Sequence, residues 1–164
     1  MTQPVVLITG AAGGLGSAIA RRFASGGWRV AATDLNAEGL QALGRDTALA
    51  ASLALDLGES GACQRLLDQV IADCGRLDAL VNAAGVWREG PVESFSEADF
   101  DLLMNVNVRA AFFTCAAAIP HLRESRGTII NIASDAGHQG NRNAAAYCAS
   151  KAALTLLSKT LALD

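Results

Sequence analysis

The stretch Pro4-Val5-Val6-Leu7-Ile8-Thr9-Gly10-Ala11-Ala12-Gly13-Gly14-Leu15-Gly16 decides the fold. Its first six residues form a short apolar, β-branched run that reads as a buried strand. A glycine-rich turn follows at once. Beyond it Leu15, Ala18, Ile19, Arg22 and Phe23 recur at helical spacing until Gly26-Gly27 stops them. Glycines at a strand-to-helix turn let the backbone approach a pyrophosphate. Its charge is met there by unpaired helix N–H groups and the positive end of the helix dipole. The spacing Thr9-Gly10-x-x-x-Gly14-x-Gly16 differs from Gly-x-Gly-x-x-Gly, and tight turns need glycine for their own sake. Support must therefore come from farther along the chain.

The next strand, Arg29-Val30-Ala31-Ala32-Thr33, ends in Asp34, eighteen residues after Gly16. A dinucleotide fold carries its ribose-reading acid at this place. A carboxylate there accepts hydrogen bonds from the adenosine ribose and repels a 2′-phosphate. Taken alone, Asp34 or Asn36 is equally an N-cap of the following helix. No Arg or Lys stands in the glycine turn or just after Asp34, which favours NAD over NADP.

Strand and helix then alternate without repeats or low-complexity tracts. Strands are expected near residues 4–9, 28–33, 51–55, 77–82 and 127–133, and helices near 15–25, 37–44, 59–74, 97–119 and 144–163. Ser96 and Asp99 form a capping-box-like pair, with Phe95 and Phe100 placed as a hydrophobic staple. Such βα repetition predicts an α/β, Rossmann-like doubly wound parallel sheet of strand order 3-2-1-4-5. The ligand crevice of such a sheet lies outside the carboxyl ends of its strands.

A second constellation stands near the far end. Tyr147, the only tyrosine, precedes Lys151, one of two lysines, by four residues and follows Ser134 by thirteen. Residues four apart share a helix face, so the Lys151 ammonium can sit near the Tyr147 phenol and favour its ionised form. An unperturbed phenol ionises near pH ~10 and is a poor base at neutrality. Taken alone, the pair also reads as an amphipathic helix residue beside a solvated lysine.

Together these motifs resemble the short-chain dehydrogenase/reductase family, from Val5 to the last residue. The resemblance implies cofactor contacts from Gly10, Gly14, Leu15, Gly16, Asp34, Asp56, Asn82, Ala83, Gly85, Tyr147 and Lys151, with Asp56 at the adenine. Asn82-Ala83-Ala84-Gly85 is similar to the family's Asn-Asn-Ala-Gly, with Ala83 in place of the second amide. The resemblance also implies a catalytic set of Asn107, Ser134, Tyr147 and Lys151 and no metal. In it Tyr147 exchanges a proton with the substrate hydroxyl, and Ser134 bonds the substrate oxygen. Lys151 lowers the Tyr147 pKa and bonds the nicotinamide ribose, and Asn107 holds a relay water. The implied reaction interconverts a secondary alcohol and a ketone by hydride transfer with NAD, with NADP second. Nucleotide-sugar epimerases share Tyr-x-x-x-Lys but usually carry Thr-Gly-x-x-Gly-x-x-Gly, which this chain lacks.

Composition agrees with an enzyme of one domain, residues 1–164. Net charge is −3 and charged residues are 18% of the chain, so no nucleic-acid partner or basic membrane surface is expected. The apolar share is 51%, as sheets buried on both faces require. No uninterrupted apolar run spans a bilayer, and the first strand begins almost at Met1, so a cytoplasmic protein is expected. Cys63, Cys74, Cys115 and Cys148 show no metal spacing and read as reduced thiols, Cys148 being open to modification. By resemblance, the helices near 97–119 and 144–163 pack across subunits in a homo-oligomer, a dimer or tetramer.

Two segments fall on the substrate side in the family: Asp135, His138, Gln139, Asn141, Arg142 and Asn143, and then Trp87, Arg88 and Glu89. Their polarity suggests a hydroxylated or anionic small molecule, although solvated loops look the same. His121, beside Pro120, reads as structural. The family continues for roughly ninety further residues, too many for a shortened loop. The chain therefore reads as C-terminally truncated, lacking the usual last strands and lid, with strand 5 an open edge. The alternative reading is a non-catalytic NAD-binding fragment or an interaction module on the same scaffold.

Overall fold

The computed structural model describes residues 3–163. Five parallel strands, β1 (Val5–Thr9), β2 (Arg29–Asp34), β3 (Leu49–Ala54), β4 (Ala79–Asn82) and β5 (Thr128–Asn131), form one sheet of order β3-β2-β1-β4-β5. The doubly wound order expected from the sequence is the one observed. β1 is buried along its whole length because it lies mid-sheet with helices on both faces.

Alternation along β1 divides the core. Val5 and Leu7 point to the layer of α3 (Ala62–Cys74) and α5 (Ala111–Ser125), meeting Leu66, Leu67, Val70, Ala118 and Leu122. Val6 and Ile8 point to the layer of α1 (Gly14–Ser25) and α2 (Ala37–Asp46), meeting Ala20, Leu40 and Leu43. This is the period-2 signature of a strand with two apolar neighbours.

The sheet's carboxyl edge carries an aligned polar row. Thr33 pairs in register with Thr9, Thr9 with Asn82, and Asn82 with Asn131. The Thr33 hydroxyl donates to Leu53 O at 2.8 Å, and the Thr9 hydroxyl accepts from Ala84 N–H at 3.1 Å. Asn82 Nδ2 donates to Asn131 Oδ1 at 2.8 Å, and Asn131 Nδ2 to Ser158 Oγ at 2.8 Å. These bonds tie the strand ends to the loops that form the crevice floor, and only the buried Asn82 Oδ1 of this row lacks a partner.

Several boundaries differ from expectation. α3 starts at Ala62 rather than near 59, because Asp56 accepts from Gly58 N–H at 2.8 Å and Gly61 turns left-handed at φ +75°. β5 is shorter than 127–133, and the helix near 144–163 is α6 (Ala145–Leu161). The helix expected over 97–119 runs from Glu97 to Ser125. It comprises α4 (Glu97–Met104), a π-helical stretch Asn105–Ala110, and α5 with Pro120 inside it. Pro120 is tolerated because it and Ala116, whose carbonyl it leaves unmatched, are both exposed. Ser96 does cap this helix, accepting from Asp99 N–H at 3.1 Å.

This 29-residue helix is long and apolar enough to cross a membrane by length and composition. Its buried face, from Leu103 through Asn107, Ala110, Thr114 and Cys115 to Ala118 and Leu122, packs into the core instead.

Candidate active site

A groove of about 550 Å³ opens at the carboxyl ends of β1 to β4, where the strand order reverses. Gly10, Gly14, Leu15, Gly16, Asp34, Asp56, Ala83 and Gly85 line it, together with Leu35, Asn36 and Val86. Eight residues singled out from the sequence thus share one wall.

The glycine turn is built for close backbone approach. Gly10 has φ +65°, and a Cβ there would lie 2.7 Å from the Ala84 Cα. A Cβ on Gly16 would overlap the Gly10 carbonyl. At Gly14, by contrast, a Cβ would meet nothing within 4 Å, so this glycine faces open space. α1 begins with no side-chain cap and no acid in its first turn. Its leading N–H groups are available to an anion, and the cradle fits a dinucleotide pyrophosphate.

Asp34 bridges two segments. Its Oδ2 accepts from Ala12 N–H at 2.9 Å and its Oδ1 from Asn36 N–H at 2.9 Å. The carboxylate thereby fixes the glycine turn to the end of β2. The cap of α2 is Asn36, whose Oδ1 accepts from Gly39 N–H at 3.0 Å. The N-cap reading therefore falls to Asn36.

The Asn82 side chain turns away from the groove. It is buried, absent from the groove wall, and directs its amide to Asn131 Oδ1 and to Cys115 Sγ at 3.2 Å. Its place in the register, paired with both Thr9 and Asn131, turns the side chain inward. Burial pushes the Cys115 thiol up to about 11, against the pull of bonds with Asn82 and Asn131. A thiol so placed is an unreactive one. Cys63, Cys74 and Cys148 are likewise free.

Deeper in, the second constellation assembles on α6 and the π-helical stretch. Asn107 Oδ1 accepts from Val86 N–H at 2.8 Å, while its Nδ2 donates to Val86 O and to Ser150 Oγ, each at 3.0 Å. Lys151 is 5% exposed, and its Nζ donates to Ile132 O at 2.9 Å. Burial lowers its pKa from the ordinary value. A Cβ on Gly85 would sit 3.4 Å from Asn107 Oδ1 and 3.5 Å from Lys151 Nζ, so both groups flank this glycine at the groove. The Lys151 Nζ lies 5.8 Å from the Tyr147 ring centroid, as the one-turn spacing predicts.

Ser134 ends the segment that follows β5 and caps the 3₁₀ turn Asp135–Gly137. Its hydroxyl accepts from Ala136 N–H at 3.2 Å and donates to Asp135 at 3.0 Å. That bond, with Ala136 N–H and Gln139, holds the Asp135 carboxyl below its usual range. The turn rests on α6: a Cβ on Gly137 would come within 2.8 Å of Lys151 O. The turn that Ser134 caps thus packs, at Gly137, on the helix that bears Tyr147 and Lys151. His138 is exposed, and His121 lies on α5 outside the groove wall.

Ser150, which no sequence motif singles out, is fully buried between Asn107 and Tyr147 O, its Oγ donating to the latter at 2.7 Å. Its only signal is its place three residues after Tyr147, on the same helix face. Trp87, which by resemblance falls on the substrate side, stands among charged neighbours in the sequence. Its ring packs on Tyr147 with centroids 4.3 Å apart and planes at 62°.

A parallel sheet with a glycine cradle at its switch point, and Asn107, Tyr147, Ser150 and Lys151 gathered beside it, has the form of a dinucleotide-binding, short-chain oxidoreductase type of site. The family described as short chain dehydrogenase matches residues 4–164, and the chain belongs to that family. The chain is 41% identical to a D-threitol dehydrogenase of Mycolicibacterium smegmatis over 98% of its own length and 64% of that protein. It is 38% identical to an L-fucose dehydrogenase of Oryctolagus cuniculus, covering 98% of this chain and 57% of that one. Among solved structures, an NAD+-bound xylitol dehydrogenase superposes with a TM-score of 0.93 at 36% identity, covering 99% of this chain and 65% of that one. A metagenomic short-chain oxidoreductase in complex with NADP gives 0.91 at 38% identity, covering 98% and 76%. The chain therefore spans less than two thirds of the length of the two curated relatives.

Proposed function

We propose that this chain carries the cofactor site and the reacting residues of an NAD-dependent oxidoreductase that interconverts a secondary alcohol and a ketone. The observation that carries this reading is the convergence at Gly85. The backbone of the cofactor groove there stands against Lys151 Nζ and Asn107 Oδ1, and Lys151 stands against the Tyr147 ring. A hydride acceptor in the groove and a proton acceptor on α6 would then meet at one place.

The glycine turn and the α1 N-terminus would hold the pyrophosphate, Asp34 the adenosine ribose, and Asp56 the adenine edge. Asp34 supplies the negative charge at the ribose position, and no basic side chain stands from Leu35 to Gly44 to receive a 2′-phosphate. This favours NAD. When bound, the nicotinamide supplies the acceptor for the hydride that leaves the carbinol carbon. Tyr147 takes the hydroxyl proton of the alcohol, so carbon loses hydride, oxygen loses a proton, and a ketone forms. Ser134 hydrogen-bonds the same oxygen and steadies its developing charge. Lys151 brings the cation to the Tyr147 side and orients the cofactor ribose. Asn107 fixes Val86 and, with Lys151, lines a proton path to solvent.

The relatives named for threitol, fucose and xylitol support a polyol or sugar-like alcohol as substrate class. The polar segment from Asp135 to Asn143 agrees with it. Self-association is proposed through α4–α5 and α6, which expose Phe100, Phe112, Phe113 and Leu156. Light scattering of the purified chain tests this, a monomer counting against it.

The function is tested by calorimetry with NAD and turnover with a panel of secondary alcohols, on the parent chain and on Tyr147→Phe. NAD binding with turnover that falls about 10²- to 10⁴-fold in the variant is expected, the usual worth of a general base. Binding without turnover in the parent would support the non-catalytic reading instead.

A further inference from the structure

We infer that Trp87 is a positioning residue for Tyr147 and the aromatic wall of the alcohol site. This deepens the reading above and rests on it for the identity of the substrate, but not for the contact itself. The indole and phenol meet in a tilted edge-to-face arrangement, centroids 4.3 Å apart. Such pairs are directional as well as apolar. Tyr147 sits on a helix whose neighbouring turns hold Lys151 and Ser150, so its ring can swing only about its own side-chain torsions. An indole against that ring restricts the swing, and with it the place of the phenolic oxygen.

The indole is itself held in place. Val86, the residue before it, is bonded on both backbone groups by Asn107. The Trp87 carbonyl accepts from Arg88 Nη1 at 2.8 Å, and Arg88 Nε pairs with Asp99 at 3.2 Å on the first turn of α4. Three residues on, Gly90 N–H donates to Asn143 O at 2.7 Å, which ties the loop to the segment leading into α6. A loop fastened at both ends carries its side chain as a fixed wall rather than a mobile flap.

Trp87 remains 46% exposed although one part of its ring lies on Tyr147. The loop that carries it is bonded, through Gly90 N–H, to Asn143 of the polar segment. Indole beside hydroxyl-binding groups suits a molecule whose carbon skeleton presents C–H bonds on one side and hydroxyls on the other. Trp87 thus selects for the skeleton, while the polar segment selects for its hydroxyls.

Because Tyr147 is the only tyrosine and Trp28 the only other tryptophan, the chain supplies its own probe. In Trp28→Phe the single indole is Trp87, and a phenolate against it should quench its emission. Loss of emission on alkaline titration is expected, and its disappearance in Trp28→Phe/Tyr147→Phe. Emission that does not respond to pH, or responds equally without Tyr147, overturns the contact whether or not the chain turns over.

Trp87→Ala, whose fold is checked by its melting curve, should lower kcat by about tenfold or more and raise KM for a polyol, the scale of a misplaced catalytic group. KM for NAD should stay unchanged, and Trp87→Phe should restore most of kcat. Kinetics unaltered in Trp87→Ala, or equal damage in the Ala and Phe variants, overturns the inference. A parent chain that shows the titration but oxidises no alcohol instead sinks the proposed activity and leaves the positioning contact standing.

Discussion

Asn107 closes a two-bond ring on the backbone of Val86, taking its N–H at 2.8 Å and giving to its carbonyl at 3.0 Å. A side-chain amide has one acceptor and one donor group at the spacing a peptide group offers, so Asn mimics a neighbouring strand here. The π-helical stretch Asn105–Ala110 is where the long helix widens, and Asn107 stands within it. The second Nδ2 hydrogen reaches Ser150 on α6, so one buried side chain joins the groove loop, the long helix and the Tyr147 helix.

Substitution at Asn107 should therefore act on stability and chemistry together. Asn107→Leu leaves the Val86 backbone groups and Ser150 without this partner and should cost about 2–4 kcal/mol, as buried unpaired polar groups do. Asn107→Asp retains the acceptor but loses the donor and should fall between. Denaturant unfolding of the three proteins checks the order, and a Leu variant as stable as the parent would contradict it.

How far the sequence disclosed this arrangement depended on the kind of signal. The inner strands β1, β2 and β4 were legible because parallel strands buried on both faces are continuous apolar runs, and the cradle because glycine spacing is a backbone requirement. Tyr147 and Lys151 were legible because helical spacing puts them on one face. Asn107 was placed by resemblance alone: Asn105-Val106-Asn107-Val108 keeps an ordinary helical pattern, and nothing in it announces a wide turn. The inward direction of the Asn82 side chain was not legible, because it follows from pairing with Asn131, forty-nine residues away. Trp87 looked like part of a polar loop because its neighbours are charged, whereas its partner lies sixty residues on.

Asp34 spends both carboxylate oxygens on backbone N–H groups, one of Ala12 and one of Asn36. Its charge is therefore fixed at the groove. A 2′-phosphate brought there meets like charge, and such juxtapositions cost several kcal/mol. Asp34→Asn should lower the ratio of NAD to NADP affinity by about tenfold or more, equivalent to roughly 1.4 kcal/mol. Calorimetry with each nucleotide measures it; an unchanged ratio would remove Asp34 from cofactor selection.

At the opposite end of the sheet Asp78 joins three strands. Its carboxylate accepts from Val5 N–H at 2.8 Å and from Arg76 Nε at 2.8 Å and Nη2 at 2.6 Å, and its backbone carbonyl accepts from Thr128 N–H at 3.0 Å. Burial would raise its pKa, but the bonds from Arg76 and Val5 outweigh that and hold it below the ordinary 3.8. The folded protein then binds fewer protons here than the unfolded chain. This stabilisation is complete above the ordinary value and is lost as pH falls through the lowered one. Asp78→Asn should cost about 1–3 kcal/mol at neutral pH. The difference from the parent should shrink in acid, as urea unfolding at stepped pH would show; a difference constant across that range would refute the linkage.

Lys151 carries the reverse coupling between stability and chemistry. Burial depresses its pKa from the ordinary 10.5 by stripping water from the ammonium, which donates to Ile132 O. Between the lowered value and 10.5 the folded protein binds fewer protons at this site than the unfolded chain, so this residue's contribution to stability rises with pH there. The proposed reaction needs the cation beside Tyr147, so turnover should fall over the same interval. Two opposite trends in one pH window are the signature of a charge kept buried for function. Lys151→Met removes the titrating group and should abolish turnover while erasing the residue's share of the alkaline rise in stability. Lys151→Arg keeps a cation that does not titrate there, so whatever turnover survives should decline only at higher pH. Urea unfolding and kcat measured across the alkaline range decide the matter: a parent whose activity falls in step with the Arg variant's would show that Lys151 does not set that limb.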